Sequence, residues 1–406
     1  MFYTSDMKGR YSPLYFLAAL GAGGLAVSFF MYLLWLIPHK GSAIATFASI
    51  QTAWATGDLA LQTIIAVSCS GIALFAFLHV RLIVWNVRQY LQWSRTPAYE
   101  ALRKSNAETQ LLVLPLTFAM SINVGFIVGA VFVPGLWDIR EWLFPFALMG
   151  FGLVGVWAIR IFLDFIARVF TEGGFVPAKD SSLGQMIVVF TFSMVAVGFS
   201  AGAAMSHNHL VSAIGYMGAV FFAAAAILFG LIKLALGFRI MMEHTAAEET
   251  TPTLWIVIPI LTVLGITIFR LKMALAHNFG TPSTPAELFS FLTIIVALQV
   301  FFGLLGWAVM RRINYFKRWI SGPERSAGSY TLICPGVALF VSANFLVNVG
   351  FVKLGLIAPF SIGHMAVYLP LIILQLVTIR VFFLLNRKLL KQSEPVTTKA
   401  SPAPAE

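Results

Sequence analysis

The tripeptide Cys334-Pro335-Gly336 interrupts an apolar run over residues 328–352. Proline removes one backbone N–H and crowds the carbonyl four residues earlier, and glycine lets other groups approach the backbone. In a bilayer, freed backbone groups are tolerated only where protein covers them or a watery cavity solvates them. The tripeptide therefore predicts a bent helix beside a pore or binding site. The Cys334 thiol would be reactive if Gly336 opens its surroundings to water, whereas a thiol buried in lipid is normally inert.

Arg270 and Lys272 carry charge near the end of another apolar run, residues 252–275. A charged side chain inside a membrane is costly, so it is a functional candidate by default. Two cations near a pore mouth would raise the local concentration of anions. Alternatively, both side chains extend to the lipid headgroups. Because helical residues two apart project about 200° apart, at most one of them faces a pore.

Neutral polar side chains also occur within the apolar runs, at Ser121, Asn123, Ser342, Asn344 and Asn348. Hydroxyls and amides can coordinate an anion without trapping it by a full charge. They can equally hydrogen-bond between helices, which is their more common use in membranes. Ser121 and Asn344 are the ones predicted to line a permeation path.

The remaining charged and metal-binding residue types form weaker patterns. Arg160 and Asp164 are four residues apart, which predicts a structural ion pair. His207 and His209 form an H-x-H pair without a third ligand nearby, which predicts an exposed turn and no metal site. The sequence has no phosphate-binding loop, nucleophile elbow or zinc-protease motif. We therefore expect neither an enzyme nor a bound cofactor.

The composition places all these residues in a membrane protein. Of the 406 residues, 59% are hydrophobic and only 11% are charged, and no soluble domain has room for so much apolar surface. We predict an all-α polytopic membrane protein with about ten transmembrane helices. The predicted spans cover residues 13–37, 59–86, 109–133, 142–167, 183–206, 210–236, 252–275, 286–310, 328–352 and 361–386.

The loops differ in charge, and this difference predicts the orientation. The loops that follow odd-numbered spans hold only Lys40, Arg140 and Lys353, whereas the other loops and the tails hold many lysines and arginines. By the positive-inside rule, both termini are cytoplasmic. We attribute the net charge of +11 to loops facing anionic lipid and predict no nucleic-acid partner.

Three segments follow from this layout. Residues 1–12 are predicted to form a cytoplasmic N-terminal tail, and residues 13–391 the ten-helix transmembrane domain. Residues 392–406 are polar and proline-rich, which predicts a disordered cytoplasmic tail.

A weak internal repeat links three of the odd-numbered spans. Spans three, seven and nine each carry a proline about seven residues in, at Pro115, Pro259 and Pro335, and Thr117 and Thr262 follow two of them. Equivalent breaks at equivalent depth predict five helical hairpins, with kinked odd-numbered helices forming an inner ring around a pore. Proline is also common in transmembrane helices generally, so chance placement is the alternative.

The local sequences at these prolines are Leu114-Pro115-Leu116-Thr117, Ile258-Pro259-Ile260 and Pro335-Gly336-Val337-Ala338. With the ten-span layout, they make the chain resemble the TehA and slow-type anion channel family of tellurite-resistance and dicarboxylate transporters. Within that family the chain is most similar to the TsoY-type proteins, some of which carry selenocysteine. The resemblance runs from Tyr11 to about Lys391 and is one of layout more than of long identical motifs.

The resemblance implies a channel or secondary transporter for small anions in the bacterial inner membrane, assembled as a homotrimer with one pore per subunit. It implies monovalent anions, organic acid anions or sulfur and chalcogen oxyanions as substrates, and no cofactor. The predicted anion path comprises Pro115, Thr117, Ser121, Pro259, Thr262, Arg270, Cys334, Pro335, Gly336, Phe340 and Asn344.

One position departs from the family pattern. In TehA-like channels a phenylalanine directly before the glycine of the ninth helix plugs the pore, whereas here a proline precedes Gly336. Phe340, Phe118, Phe190 and Phe192 are the candidates to replace that phenylalanine, unless this branch of the family opens differently.

Two functions of other classes stay open. The first is a membrane subunit of a quinol-linked redox complex, although the short outer loops offer little docking surface. The second is a redox-responsive membrane protein that uses Cys334.

Overall fold

The computed structural model describes residues 4, 7–39, 41–173 and 181–391, and all regular structure in these ranges is helical. Ten helices are long and apolar enough to cross a membrane. The protein is therefore an all-α, multi-pass membrane protein, as predicted. Spans 1 to 10 are Pro13–Leu36, Leu59–Trp93, Asn106–Phe132, Leu136–Glu172, Gly184–Met205, His209–His244, Glu248–Asn278, Pro285–Arg312, Ala327–Val352 and Ile362–Leu390. Two shorter helices, Phe47–Thr56 and Pro97–Arg103, lie in the loops after spans 1 and 2.

Spans 2, 4 and 6 continue well beyond their apolar runs, to Trp93, Glu172 and His244. Hydropathy predicts only the part of a helix suited to lipid. A helix that has already formed gains one backbone hydrogen bond for each residue it adds, so it continues into polar sequence.

Side-chain caps fix where most of the even-numbered spans begin. Asp58, Asn208, Thr284 and Ser361 each accept a hydrogen bond from a backbone N–H in the first turn of spans 2, 6, 8 and 10. These N–H groups have no acceptor within the helix, so each cap stabilises the helix start.

The odd-numbered spans are the buried ones. Between 56 and 94% of an apolar 18-residue stretch of each odd-numbered span is buried, against 22 to 33% for the even-numbered spans. Span 1 contacts spans 3 and 9, span 3 contacts span 5, and span 7 contacts spans 5 and 9. Each even-numbered span packs against the odd-numbered span before it. The core of the bundle therefore lies among spans 1, 3, 5, 7 and 9.

The two ends of the described chain meet on one side of the bundle. The Thr4 backbone N–H donates to the Leu390 carbonyl at 2.9 Å. We call this side the terminal face, and the other side the opposite face. The odd-numbered spans begin, and the even-numbered spans end, at the terminal face.

The predicted N-terminal tail, residues 1–12, packs against span 2 in its described part. Tyr11 is buried, and its hydroxyl donates to Oδ1 of Asn86 at 3.0 Å. The Trp85 indole N–H donates to the Thr4 carbonyl at 2.9 Å. The predicted disordered tail, residues 392–406, lies outside the described residues, as do Lys40, Lys179 and Lys399.

Candidate functional site

All five odd-numbered spans begin with a 3₁₀ segment before they become α-helical. Their α-helical parts are Phe16–Leu36, Val113–Phe132, Ile187–Met205, Val257–Asn278 and Ile333–Phe345. Pro115, Pro259 and Pro335 are each the third residue of such an α-helical part. Proline is tolerated in a first turn because its missing N–H lacks an i−4 α-helical acceptor there. The predicted mid-helix bend is therefore a transition from 3₁₀ to α-helix.

One face of each odd-numbered span lines a central cavity of about 200 Å³. The lining residues of span 7 are Pro259, Thr262, Val263, Ile266 and Arg270, and those of span 9 are Cys334, Val337, Ala338, Val341 and Phe345. Both sets follow the spacing i, i+3, i+4, i+7, i+11, which places side chains on one face of an α-helix. Trp137, Phe144 and Phe151 of span 4 contribute aromatic rings to the same wall.

Arg270 brings a full charge to this wall. Its Nη1 donates to the Val197 carbonyl of span 5 at 3.1 Å, which uses one of the five N–H donors of a guanidinium. Arg270 forms no ion pair with a described carboxylate. Lys272, two residues further along span 7, does not line the cavity. Of these two cations, only Arg270 therefore faces the central cavity.

The described residues of the cavity wall include no aspartate or glutamate. Besides Arg270, the polar lining side chains are Asn123, Thr262 and Cys334. The Asn123 amide donates only a long contact to the Met194 sulfur, at 3.6 Å. The wall therefore combines one cation and a weakly engaged amide with a largely apolar surface.

A second cavity of about 160 Å³ lies at the terminal face, among the 3₁₀ segments of spans 3, 5, 7 and 9. We call it the basal cavity. Phe190, Pro259 and Cys334 line both cavities. These three dividing residues therefore separate the central cavity from the basal cavity. Phe190 is 4% exposed and belongs to the most buried span.

Comparison with protein-family models and with curated proteins finds no match for this chain.

Of the predicted anion path, the structure brings together Pro259, Thr262, Arg270 and Cys334 on the cavity wall. The Thr262 hydroxyl is already engaged there. It hydrogen-bonds to Ser342 at 2.9 Å and accepts from the Gln299 amide at 2.6 Å. This buried cluster ties together spans 7, 8 and 9.

The predicted path residues of span 3 do not reach the wall, because they face spans 1 and 2. The Thr117 hydroxyl donates to the Val113 carbonyl at 2.8 Å within its own helix. Ser121 is 3.0 Å from Nε2 of His79, a span 2 residue buried against span 1. Pro115 is buried in the first turn below them. For Ser121, the structure favours the interhelical alternative.

Four predicted path residues of span 9 likewise do not line the central cavity. A Cβ on Gly336 would lie 2.1 Å from the Thr378 hydroxyl of span 10, so this glycine allows close helix packing. The Phe340 ring is fully buried, 5.6 Å from the Tyr32 ring. Asn344 donates to the Phe340 carbonyl at 2.9 Å. Pro335 is buried. One helix cannot present both these residues and the Cys334 face to the cavity.

The predicted Arg160–Asp164 pair does not form. Asp164 lies 3.8 Å from Arg103 instead, beside the buried Glu108, which pairs with Arg103 at 3.1 Å and with Arg168 at 2.9 Å. A buried carboxylate needs close positive partners. The loop after span 2 supplies one of them, which sequence spacing along span 4 does not reveal.

His207 and His209 lie where the chain turns between spans 5 and 6. The His207 backbone N–H donates to a carboxylate oxygen of Glu141 at 3.0 Å. Within the described residues, no group of three or more His, Cys, Asp or Glu side chains could hold a metal ion.

Proposed function

We propose that the protein conducts or transports small anions across the membrane, through the central cavity and then the basal cavity. The observation that carries this proposal is the Arg270 guanidinium on the wall of an apolar cavity whose described residues include no carboxylate. Such a wall favours an anion because the charge opposite the arginine must come from a ligand.

The energetics support the same interpretation. A hydrogen bond to a charged group contributes about 1.5–3 kcal/mol, and an uncompensated charge in an apolar site is costly. A single small anion would offset that cost and occupy the free guanidinium donors together. The cavity of about 200 Å³ has room for such an anion with part of its hydration shell.

The dividing residues Phe190, Pro259 and Cys334 are the constriction in this proposal. The family resemblance implies an aromatic plug at the first turn of the ninth helix. Here Phe190 of span 5 supplies an aromatic ring at the boundary between the cavities, while Cys334 and Pro259 supply the opposing surfaces. Phe340, the first candidate by sequence, packs against span 1 instead.

The wider arrangement proposed here follows the resemblance. Five hairpins would place the odd-numbered spans as an inner ring around the path, which is supported by their burial and successive contacts. The terminal face would be cytoplasmic, in a bacterial inner membrane. The exposed apolar faces of the even-numbered spans would contact lipid and, in a homotrimer, neighbouring subunits.

Purified protein in liposomes tests the proposal. We expect chloride, nitrate or sulfite to cross vesicles that contain the protein faster than empty vesicles, with potassium flux unchanged. Co-purification of iron–sulfur partners with no flux of any anion would support the quinol-linked alternative and contradict the proposal.

A further inference from the structure

The basal cavity differs from the central cavity in its chemistry. Its described lining carries no charged side chain, and amides and hydroxyls take the place of the guanidinium. These groups come from the 3₁₀ segments that begin spans 3, 5, 7 and 9. The basal cavity is therefore an uncharged chamber on the terminal side of Phe190, with a mostly apolar surface that carries several amides and hydroxyls.

Gln185 is the unusual residue of this chamber. It lies in the 3₁₀ turn Gly184–Met186, at the base of the most buried span, and is only 3% exposed. Neither its Nε2 nor its Oε1 has a hydrogen-bond partner among the described residues. Buried side-chain amides nearly always have hydrogen-bond partners. An amide that lines a cavity and has no such partner among the described residues therefore indicates a ligand.

Nearby hydroxyls are already engaged and do not compensate for this amide. Thr253 donates to the Thr250 carbonyl at 2.6 Å and accepts from the Leu183 N–H at 3.1 Å. The Ser182 hydroxyl accepts from the Gly184 N–H at 3.1 Å. Gln185 thus brings a buried amide, with donor and acceptor both unpartnered among the described residues, to the boundary between the basal cavity and a neighbouring groove lined by Lys233, Arg239 and Glu243.

We propose that the basal cavity is a second anion-binding site with the Gln185 side-chain amide as its central donor, an inference that rests on the proposed anion transport. The desolvation cost of an anion rises steeply with its charge, so a few neutral donors offset it more fully for a singly charged anion than for a doubly charged one. The site would therefore favour monovalent anions such as bromide or nitrate. It would bind them weakly enough to release them, as a conduction path requires.

The test combines crystallography and transport on the full chain. Crystals soaked in bromide are expected to show an anomalous peak within hydrogen-bond distance of Gln185. In liposomes, Gln185→Met should raise the half-saturating bromide concentration about tenfold, the effect of losing one hydrogen bond. The variant should fold because methionine keeps the length of the side chain and removes a buried amide that has no hydrogen-bond partner among the described residues.

Gln92→Met is the matched control. Gln92 lies at the end of span 2, is exposed and lines neither cavity. We expect its half-saturating concentration to stay within about twofold of wild type, since a hydrated amide contributes little net hydrogen-bond energy. Equal effects at both positions would overturn the role of Gln185.

The outcomes separate the two proposals. Two results together would overturn the basal site and leave anion transport standing. In liposomes, Gln185→Met would show normal flux with an unchanged half-saturating bromide concentration. In soaked crystals, ordered water but no bromide would lie at Gln185. If wild-type protein carries no anion at all, the proposed function fails. In that case the bromide peak alone decides whether the basal site exists, and absence of the peak overturns the site.

Discussion

The Arg270 guanidinium lies on an apolar wall, where a full charge is unfavourable unless something compensates it. Among the described residues, compensation consists of one hydrogen bond to the Val197 carbonyl. A bound anion would supply both opposite charge and further hydrogen bonds. Such an anion would account for a charge at a position where an apolar side chain would be more stable.

Phe190 is expected to restrict flux between the two cavities. Its replacement by leucine and then alanine shortens the side chain at the boundary, so anion flux in liposomes should rise in the order Phe, Leu, Ala. Phe192→Leu is the control. Its ring packs at 5.5 Å from Phe162 and 5.9 Å from Phe222, in the contact with spans 4 and 6.

The control variant should lose about 1 kcal/mol of stability, the usual effect of a near-isosteric core change, and keep wild-type flux. If Phe190→Ala carries anions no faster than wild type, the constriction lies elsewhere.

Single residues were predictable only where their chemistry is rare. Arg270 is a charge in an apolar run, so the sequence alone marks it. Phe190 is one of 37 phenylalanines, and which of them faces a cavity depends on packing between spans. Gln185 lies in polar sequence at a span end. Its burial arises from segments that are distant along the chain.

At the level of elements, the repeated feature is the 3₁₀ start of the odd-numbered spans. Prolines at the third α-helical residue mark three of these starts. Span 1 instead carries Pro13 at the first residue of its 3₁₀ segment, and span 5 begins in the same way without proline. Contacts between spans help to explain the 3₁₀ starts that proline does not mark. The Thr117 hydroxyl reaches the Phe16 carbonyl at 3.4 Å, and the Thr191 hydroxyl donates to the Leu112 carbonyl at 3.1 Å. Carbonyls at a 3₁₀-to-α transition thus accept hydrogen bonds from hydroxyls of the next odd-numbered span. Local sequence does not predict these contacts.

Gly336 is expected to act through packing of spans 9 and 10. An added methyl at 2.1 Å from the Thr378 hydroxyl must push the two helices apart, which costs about 1–3 kcal/mol. Gly336→Ala should therefore lower the thermal stability of the purified protein. The double variant with Thr378→Ala should recover most of it.

Gly303→Ala is the matched control, because its nearest neighbour would be a side-chain carbon of Ile258 at 3.9 Å. Loss of anion flux in Gly336→Ala without loss of stability would instead support a direct role for Gly336 in the path.

At the level of the whole molecule, the sequence predicted the number and order of the spans, because hydrophobic length is a local property. Their pairing follows the same order, since each even-numbered span packs against the odd-numbered one before it. The cavities were not predictable in this way. They depend on which face of five separate helices meets at the centre.

The orientation of the molecule gives a prediction for thiol labelling. With Cys69 and Cys334 replaced, Thr281→Cys lies in the loop after span 7, and Arg312→Cys ends span 8 at the terminal face. A membrane-impermeant maleimide added to spheroplasts should label the first and spare the second. The reverse pattern would place the terminal face outside the cell.

Assembly gives a second prediction at this scale. Native mass spectrometry from nanodiscs should give the mass of three chains if the outer faces of even-numbered spans meet in a homotrimer. A single-chain mass that persists at high protein concentration would remove this part of the proposal.

Anion flux in liposomes that contain Arg270→Gln, set against Lys272→Gln, tests the central claim most directly. Both variants remove one positive charge near the same end of span 7, but only Arg270 lines the central cavity. Loss of a charge-assisted hydrogen bond of about 1.5–3 kcal/mol predicts a fall of about tenfold to a hundredfold in anion flux below saturation for Arg270→Gln. Lys272→Gln should retain wild-type flux. Equal flux in the two variants would contradict an anion site at Arg270.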